Sequence, residues 1–264
     1  FLGSTLPGLQ PMKPGSCGPG ALGIYAVIYD EDRNEIPKGS GTAGNICIRN
    51  PWPGIMQTIW GQPERFVETY YAKYCQNGSS KDWHDWPFLC GDGAVQAVDG
   101  YYRILGRVDD VINVAGHRLG TKELESAVLT VPEVTEAAAV PVIDEVRGRV
   151  VEMYVALKPG LAPSKEIEEK VKASIEVEIG KVARPKNVWI VPDMPKTRSG
   201  KIMRRVIASI SNFADVGDIT TLANPDVVDG IRRLVYKEKT ERGEAPRPLN
   251  EKELAEITSF GRTE

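Results

Sequence analysis

Residues Arg107 to Asp110 form a short, largely polar joint between two long apolar stretches, and that joint constrains the chain more than any other feature. Gly106 lets the backbone change direction just before it, because glycine lacks a Cβ. Beyond it Val111, Ile112 and Val114 are mostly β-branched and read as a strand. A Gly116-to-Gly120 loop follows. Thr121 then stands where a helix N-cap belongs, with Leu124, Val128 and Leu129 on one face of the helix it opens. Taken alone, the stretch reads equally well as no more than a solvated hinge and a tight turn. Either way it splits the chain in two.

Upstream, Ile24, Ala26 and Ile28 alternate with tyrosine and valine in a strand over Gly23 to Tyr29, and Asn45 to Arg49 is its return limb. Pro63 opens a helix carrying Phe66, Val67 and Tyr70 on one face. Val95 to Val98 and Tyr101 to Leu105 predict a hairpin, with Asp99-Gly100 as a two-residue turn of positive φ. These elements predict a small antiparallel, barrel-like unit. Downstream, the pattern predicts a helix over Thr121 to Thr130 and strands over Thr135 to Val142 and Val150 to Leu157. Ser164 then caps a helix that turns Ile167, Val171 and Ile175 toward a sheet. A strand over Asn187 to Val191, a basic loop and a helix from Ile202 complete a compact α+β domain. The charged stretch 226–264 has helical patches at Val227 to Val235 and Glu251 to Ile257.

A chain of 264 residues holds two modest domains, and 41% hydrophobic residues give each a core. A net charge of −3 gives no basis for nucleic acid or an acidic membrane as partner, and no apolar run is long enough to span a bilayer. Cys17, Cys47, Cys75 and Cys90 are scattered, which fits structural thiols in a reducing compartment. His84 and His117 offer no zinc-ligand spacing.

Three places carry chemistry. Asp92, flanked by Gly91 and Gly93, is a carboxylate that can accept hydrogen bonds from both hydroxyls of a ribose; the plain alternative is a turn aspartate. Arg107 is a planar, permanently charged donor suited to ribose or phosphate oxygens, or else to an ion pair with Asp109 or Asp110. Lys201 follows Ser199-Gly200 on a loop near Arg198, Arg204 and Arg205. It is either one member of a solvated basic cluster or an ammonium poised between two anions.

Gly91–Gly93, Gly106–Gly120 and the run Pro195 to Arg205 (Pro-Lys-Thr-Arg-Ser-Gly-Lys-Ile-Met-Arg-Arg), in this order and spacing, resemble the AMP-forming acyl-CoA synthetases of the adenylate-forming superfamily. Leu6-Pro7-Gly8, Trp52-Pro53-Gly54 and Thr221 to Pro225 are similar to the acetate-activating branch. The resemblance runs from about residue 5 to 235. It implies an α+β fold: residues 1–106 as the last, β-rich subdomain of a large amino-terminal domain, 107–110 as hinge, 111–225 as a small mobile carboxy-terminal domain, and 226–264 as a charged helical tail.

The resemblance also implies roles. Asp92 would bind the AMP ribose, with Arg107 and Arg118 as further nucleotide contacts. Asp109 matches the hinge residue about which the small domain rotates, Gly116 lines the pantetheine channel of CoA, and Lys201 matches the lysine of the adenylation step. Acetate-activating members carry arginine near the CoA 3′-phosphate where Glu176 stands, and Lys172, one turn earlier, would take its place. ATP, CoA and a small carboxylate are the implied ligands, with Mg2+ ligands outside the chain and a cytoplasmic location. No stretch resembles the family's phosphate loop, so the chain is expected to be a carboxy-terminal portion, inactive without the amino-terminal portion. The competing expectations are an adenylation domain serving a carrier protein and a non-catalytic nucleotide-binding module.

Overall fold

The chain divides into two compact units, residues 1–108 and 109–264. The structure, a computed structural model, describes residues 3–75, 82–108, 110–115, 117–244 and 246–260, except for the side chain of Arg118.

The first unit is built on an antiparallel sheet of β1 (Ala26–Tyr29), β2 (Gly44–Ile48), β3 (Phe88–Gln96) and β4 (Tyr102–Arg107), in that order. Period-two alternation sends Ile28, Ile46 and Tyr102 into one buried cluster and Val27, Tyr29 and Cys47 into another. The sheet is open, with β1 and β4 at its edges, and does not close into a barrel. Helix α1 (Pro63–Tyr70) buries Phe66, which meets Tyr71 and Trp83 edge-on.

The β3–β4 connection differs from the two-residue turn expected. The strands end at Gln96 and Tyr102, so the link is wider than Asp99-Gly100. Gly100 donates its N–H to the Ala97 carbonyl at 2.9 Å and has φ 89°, while Asp99 keeps an ordinary φ. The Asp99 carboxylate instead accepts the Tyr101 N–H at 3.2 Å, so one positive-φ residue suffices.

The second unit centres on β7 (Val134–Asp144), β8 (Gly148–Leu157) and β9 (Asn187–Ile190), paired antiparallel and then parallel. The parallel pair needs a crossover, supplied by α3 (Lys165–Glu178). Ser164 caps that helix as expected, accepting the Ile167 N–H at 3.3 Å. A hairpin of β5 (Val111–Val114) and β6 (His117–Gly120) leads into α2 (Thr121–Val128), so most of the segment read as a glycine loop is a strand. Gly120, not Thr121, occupies the cap position, and the Thr121 N–H is taken by the Asp110 carbonyl at 3.2 Å.

Helix α4 (Arg204–Ser211) starts later than Ile202 because Ile202 pairs with Lys196 in a short antiparallel bridge. Helices α5 (Asp226–Glu241) and α6 (Glu251–Ser259) put Val228, Ile231, Val235 and Ile257 into the same core as Leu124, Tyr154 and Trp189. Apart from Lys239, the charged residues of α5 and α6 lie toward the outer faces of helices whose inner faces are packed. Lys239 is fully buried, 2.7 Å from Glu152 Oε1, and donates to the Ser211 carbonyl at 2.7 Å. The Glu152 carboxylate also accepts from Asn187 and from the Trp189 ring N–H, each at 2.8 Å.

Candidate functional site

In the first unit, Asp92 and Arg107, fifteen positions apart in sequence, are direct cross-strand partners in β3 and β4. Partners of this kind project from the same face of a sheet. Gly91 makes the pairing possible. Its φ is +78°, and a Cβ there would lie 2.9 Å from Arg107 Nη1 and 3.1 Å from Cζ. A side chain at 91 would therefore displace the guanidinium. The Val108 N–H donates to the Gly91 carbonyl at 3.0 Å, fixing the end of β4 against the same residue. Next door, the Cys90 thiol is pushed up to about 12, by burial first and then by the Asp92 carboxylate. The arrangement places a carboxylate and a guanidinium side by side over a backbone without a side chain. That combination suits a diol and an anion on one ligand.

In the second unit, Lys201 sits at the end of a tight hairpin. The Thr197 N–H donates to the Lys201 carbonyl at 2.8 Å, and the Lys201 N–H donates to Thr197 Oγ1 at 3.1 Å. Gly200, at φ +81°, closes the turn by donating to the Thr197 carbonyl at 2.8 Å. Lys201 itself is exposed. Its basic neighbours are not a solvated cluster. Lys196 reaches Glu136 at 2.8 Å and Asp193 at 2.9 Å, contacts that raise its pKa in that order. Arg204 is 5% exposed and closes a bidentate pair on Glu125, with both contacts at 2.7 Å. Arg205 donates to the carbonyls of Val216 and Asp218. Of the basic residues in this run, only Arg198 and Lys201 are exposed.

Asp109 and Gly116 lie outside the described residues. Asp110 is buried, with Oδ2 3.9 Å from Arg204 Nη1, so it belongs to the body of the second unit. Arg118 lies on β6 opposite Asn113. Lys172, on α3, is 2.9 Å from Glu169 Oε1. Arg184 spans Glu169 and Glu176 at 2.8 Å each. Among the described residues no group of three His, Cys, Asp or Glu side chains is placed to hold a metal ion, and no helix is long and apolar enough to cross a membrane.

Sequence reasoning passed over Thr197 and Asn224, which hold the Lys201 hairpin. The signal for Asn224 is its place before Pro225, a pairing that favours a turn.

Residues 123–201 match the AMP-binding enzyme C-terminal domain, the region that holds most of α2, the three-stranded sheet and the Lys201 hairpin. The same architecture recurs in ATP-bound MatB from Rhodopseudomonas palustris (27% identity, TM-score 0.61), with 74% of this chain and 35% of that one covered. It recurs also in the anthranilate CoA ligase AuaEII in complex with anthranoyl-AMP (25% identity, TM-score 0.65; 79% and 37%). Residues 123–201 thus carry the AMP-binding enzyme C-terminal domain, and the chain is similar in fold to these adenylate-forming enzymes.

Within that class it is homologous to acetyl-coenzyme A synthetases. It is 45% identical to the Rubrobacter xylanophilus protein over 233 residues, 88% of this chain and 34% of the relative. To the Pyrobaculum aerophilum protein it is 42% identical over 240 residues, 90% and 34%. The chain thus spans about a third of the length of these relatives.

Proposed function

We propose that this chain is the carboxy-terminal portion of an AMP-forming ligase that joins acetate, or another short-chain carboxylate, to CoA. The carboxylate attacks the α-phosphate of ATP, forming a carboxyl–phosphate bond and releasing pyrophosphate. The CoA thiol then attacks the acyl carbonyl, and AMP leaves. The remaining two thirds of the protein would supply the acyl pocket and the ligands of Mg2+.

One observation carries this reading: Lys201 is presented to solvent by a hydrogen-bonded hairpin while Lys196, Arg204 and Arg205 around it are committed to internal partners. A long ammonium held this way offsets the repulsion between a carboxylate and a phosphate as they meet, which is electrostatic stabilisation by a prepositioned charge. In the first unit, Asp92 accepts from the ribose hydroxyls and Arg107 donates to ribose or phosphate oxygens. Arg118 adds a charge contact to nucleotide in one orientation of the second unit. After rotation about Asp109, Gly116 lines the channel for pantetheine and Lys172 meets the CoA phosphate.

The test is a pair of rates on the full-length protein, ATP–pyrophosphate exchange and thioester formation from preformed acetyl-adenylate. Lys201→Ala is expected to slow exchange by two to three powers of ten, about 3 to 4 kcal/mol, and to leave thioester formation near normal. Equal loss in both, or in neither, would return Lys201 to the role of a surface lysine.

A further inference from the structure

Lys201 is the exposed end of a loop, and a loop places a charge only as well as its base is held. The base here is residues 193–197, and a segment more than twenty positions downstream in sequence grips it. Asn224 uses its whole side-chain amide on that stretch. Its Oδ1 accepts the Lys196 N–H at 2.9 Å, while Nδ2 donates to Asp193 Oδ2 at 2.9 Å and to the Met194 carbonyl at 2.8 Å. An asparagine has two amide hydrogens, and both are used.

The backbone beside it adds a second layer. The Ala223 N–H donates to the Lys196 carbonyl at 2.8 Å, and Leu222 forms an antiparallel bridge with Thr197. The Leu222 side chain is buried in the main core, so the grip is anchored from below. From Thr197 the path to Lys201 is direct, through the Thr197 N–H to the Lys201 carbonyl and the Lys201 N–H to Thr197 Oγ1. Partial burial opposes the charge on Asp193, yet bonds from Lys196, the Met194 N–H and Asn224 outweigh it and hold the carboxyl below its ordinary range.

We propose that Asn224 is a positioning residue for Lys201: by fixing residues 193–196 it sets where the Lys201 ammonium stands when carboxylate and α-phosphate meet. This rests on the assignment of Lys201 to the adenylation step. Loss of the amide leaves the core and the Lys201 side chain intact but frees the loop base that positions it. A displacement of about 1 Å in a reacting or stabilising group costs on the order of a hundredfold in rate. The effect passes only through Lys201, so it disappears once that lysine is gone.

The experiment compares Asn224→Ala, Lys201→Ala and the double variant in full-length protein, each checked for a cooperative melting transition. Asn224→Ala is expected to lower kcat for pyrophosphate exchange on the order of tenfold to a hundredfold, with KM for ATP and acetate nearly unchanged. Thioester formation from preformed adenylate stays at its normal rate. The double variant is no slower in exchange than Lys201→Ala alone. Should Asn224→Ala not fold, Asn224→Asp sets a carboxylate against Asp193, and the exchange Asp193→Asn with Asn224→Asp restores the carboxylate–amide pair between the two positions, leaving only the Met194 carbonyl without that donor. Recovery of exchange in that double variant over Asn224→Asp supports the proposal. An Asn224→Ala protein with normal exchange, with both half-reactions slowed alike, or with a defect that adds to that of Lys201→Ala overturns it, as does failure of the reciprocal exchange to recover activity. If Lys201→Ala itself leaves exchange intact, the functional assignment is what fails.

Discussion

Arg204, two residues into the sequence beyond the Lys201–Ile202 end of the hairpin, pairs through two parallel hydrogen bonds with Glu125 of α2, and both side chains are about 5% exposed. The Glu125 carboxylate also accepts the Ala139 N–H of β7 at 3.2 Å, and Asp110 Oδ2 lies 3.9 Å from the same guanidinium. One ion pair therefore ties the start of α4 to α2, β7 and the first residues of the second unit. The Lys201 hairpin and α2 are held as parts of a single body.

Taking away one partner of such a pair leaves the other charge buried. Arg204→Ala is expected to destabilise the second unit by about 3 to 5 kcal/mol. Replacing both, as Arg204→Met with Glu125→Leu, is expected to cost less, because the Glu125 charge is no longer stranded; Lys122 and the Ala139 N–H lose an acceptor, and Asp110 loses the nearby guanidinium. Urea unfolding of the two variants decides it. An Arg204→Ala protein with the midpoint of the parent would mean that the guanidinium is solvated.

Sequence pattern alone separates the two units, because a polar joint between apolar runs leaves few other places to divide the chain. It also marks β1, β2, β7 and β8, where apolar residues alternate or run unbroken. The Arg204–Glu125 pair was hidden. A run of Lys and Arg on a loop reads as a solvated surface, and nothing local reveals that carboxylates from α2 and β7 arrive beneath it. In the charged stretch 226–264 the helical patch at Val227 to Val235 was legible, but its many charges hide that Val228, Ile231 and Val235 pack α5 into the core. Asp92 and Arg107 were each readable as ligand contacts, and the register of an Asp99-Gly100 turn pairs them; the strands run one step off that register from Ala94 to Gln96, and the shift between Gly93 and Ala94 restores it.

Lys239 and Glu152 offer a second buried charge pair, at 1% and 0% exposure, joining α5 to the central sheet. Lys239→Met is expected to strand the Glu152 charge among Asn187 and Trp189 donors and to lower stability by about 3 to 5 kcal/mol. Adding Glu152→Gln recovers part of that loss. Thermal melts of both proteins check the order; a single variant more stable than the double would show that α5 does not depend on this contact.

The Cys90 thiol gives a pH-dependent readout of Asp92. Burial and the Asp92 charge raise its folded value from 9.0 to about 12. Between those values the unfolded chain has lost the thiol proton while the folded chain still holds it. Stability is therefore unaffected below about pH 9 and falls as pH rises toward 12. Alkylation by iodoacetamide, followed at the Cys90 peptide by mass spectrometry, is expected to stay slow at pH 9 in folded protein. Asp92→Asn removes the like charge and is expected to move the onset of reaction to lower pH. An onset unchanged by Asp92→Asn would mean that the carboxylate points away from the thiol.

The last prediction separates the two aspartates of the joint. Asp110 is buried beside Arg204 and gives its carbonyl to Thr121, so it travels with the second unit. Asp109 is the first residue of that unit and directly follows Val108, the last of the other. If the second unit turns between the two half-reactions, the change in backbone angles falls at Asp109, and Asp110 is a fixed part of what turns. Proline at 109 fixes φ near −65° and removes the N–H. Asp109→Pro in the full-length protein is expected to spare one half-reaction and block the other, with adenylate formed and thioester not. Asp110→Ala, by contrast, is expected to lower the melting temperature and to weaken both steps in proportion to the folded fraction. Single-turnover rates for each step, with melts of both variants, distinguish the residues. Parallel loss of both steps in well-folded Asp109→Pro protein would move the pivot elsewhere in residues 107–110.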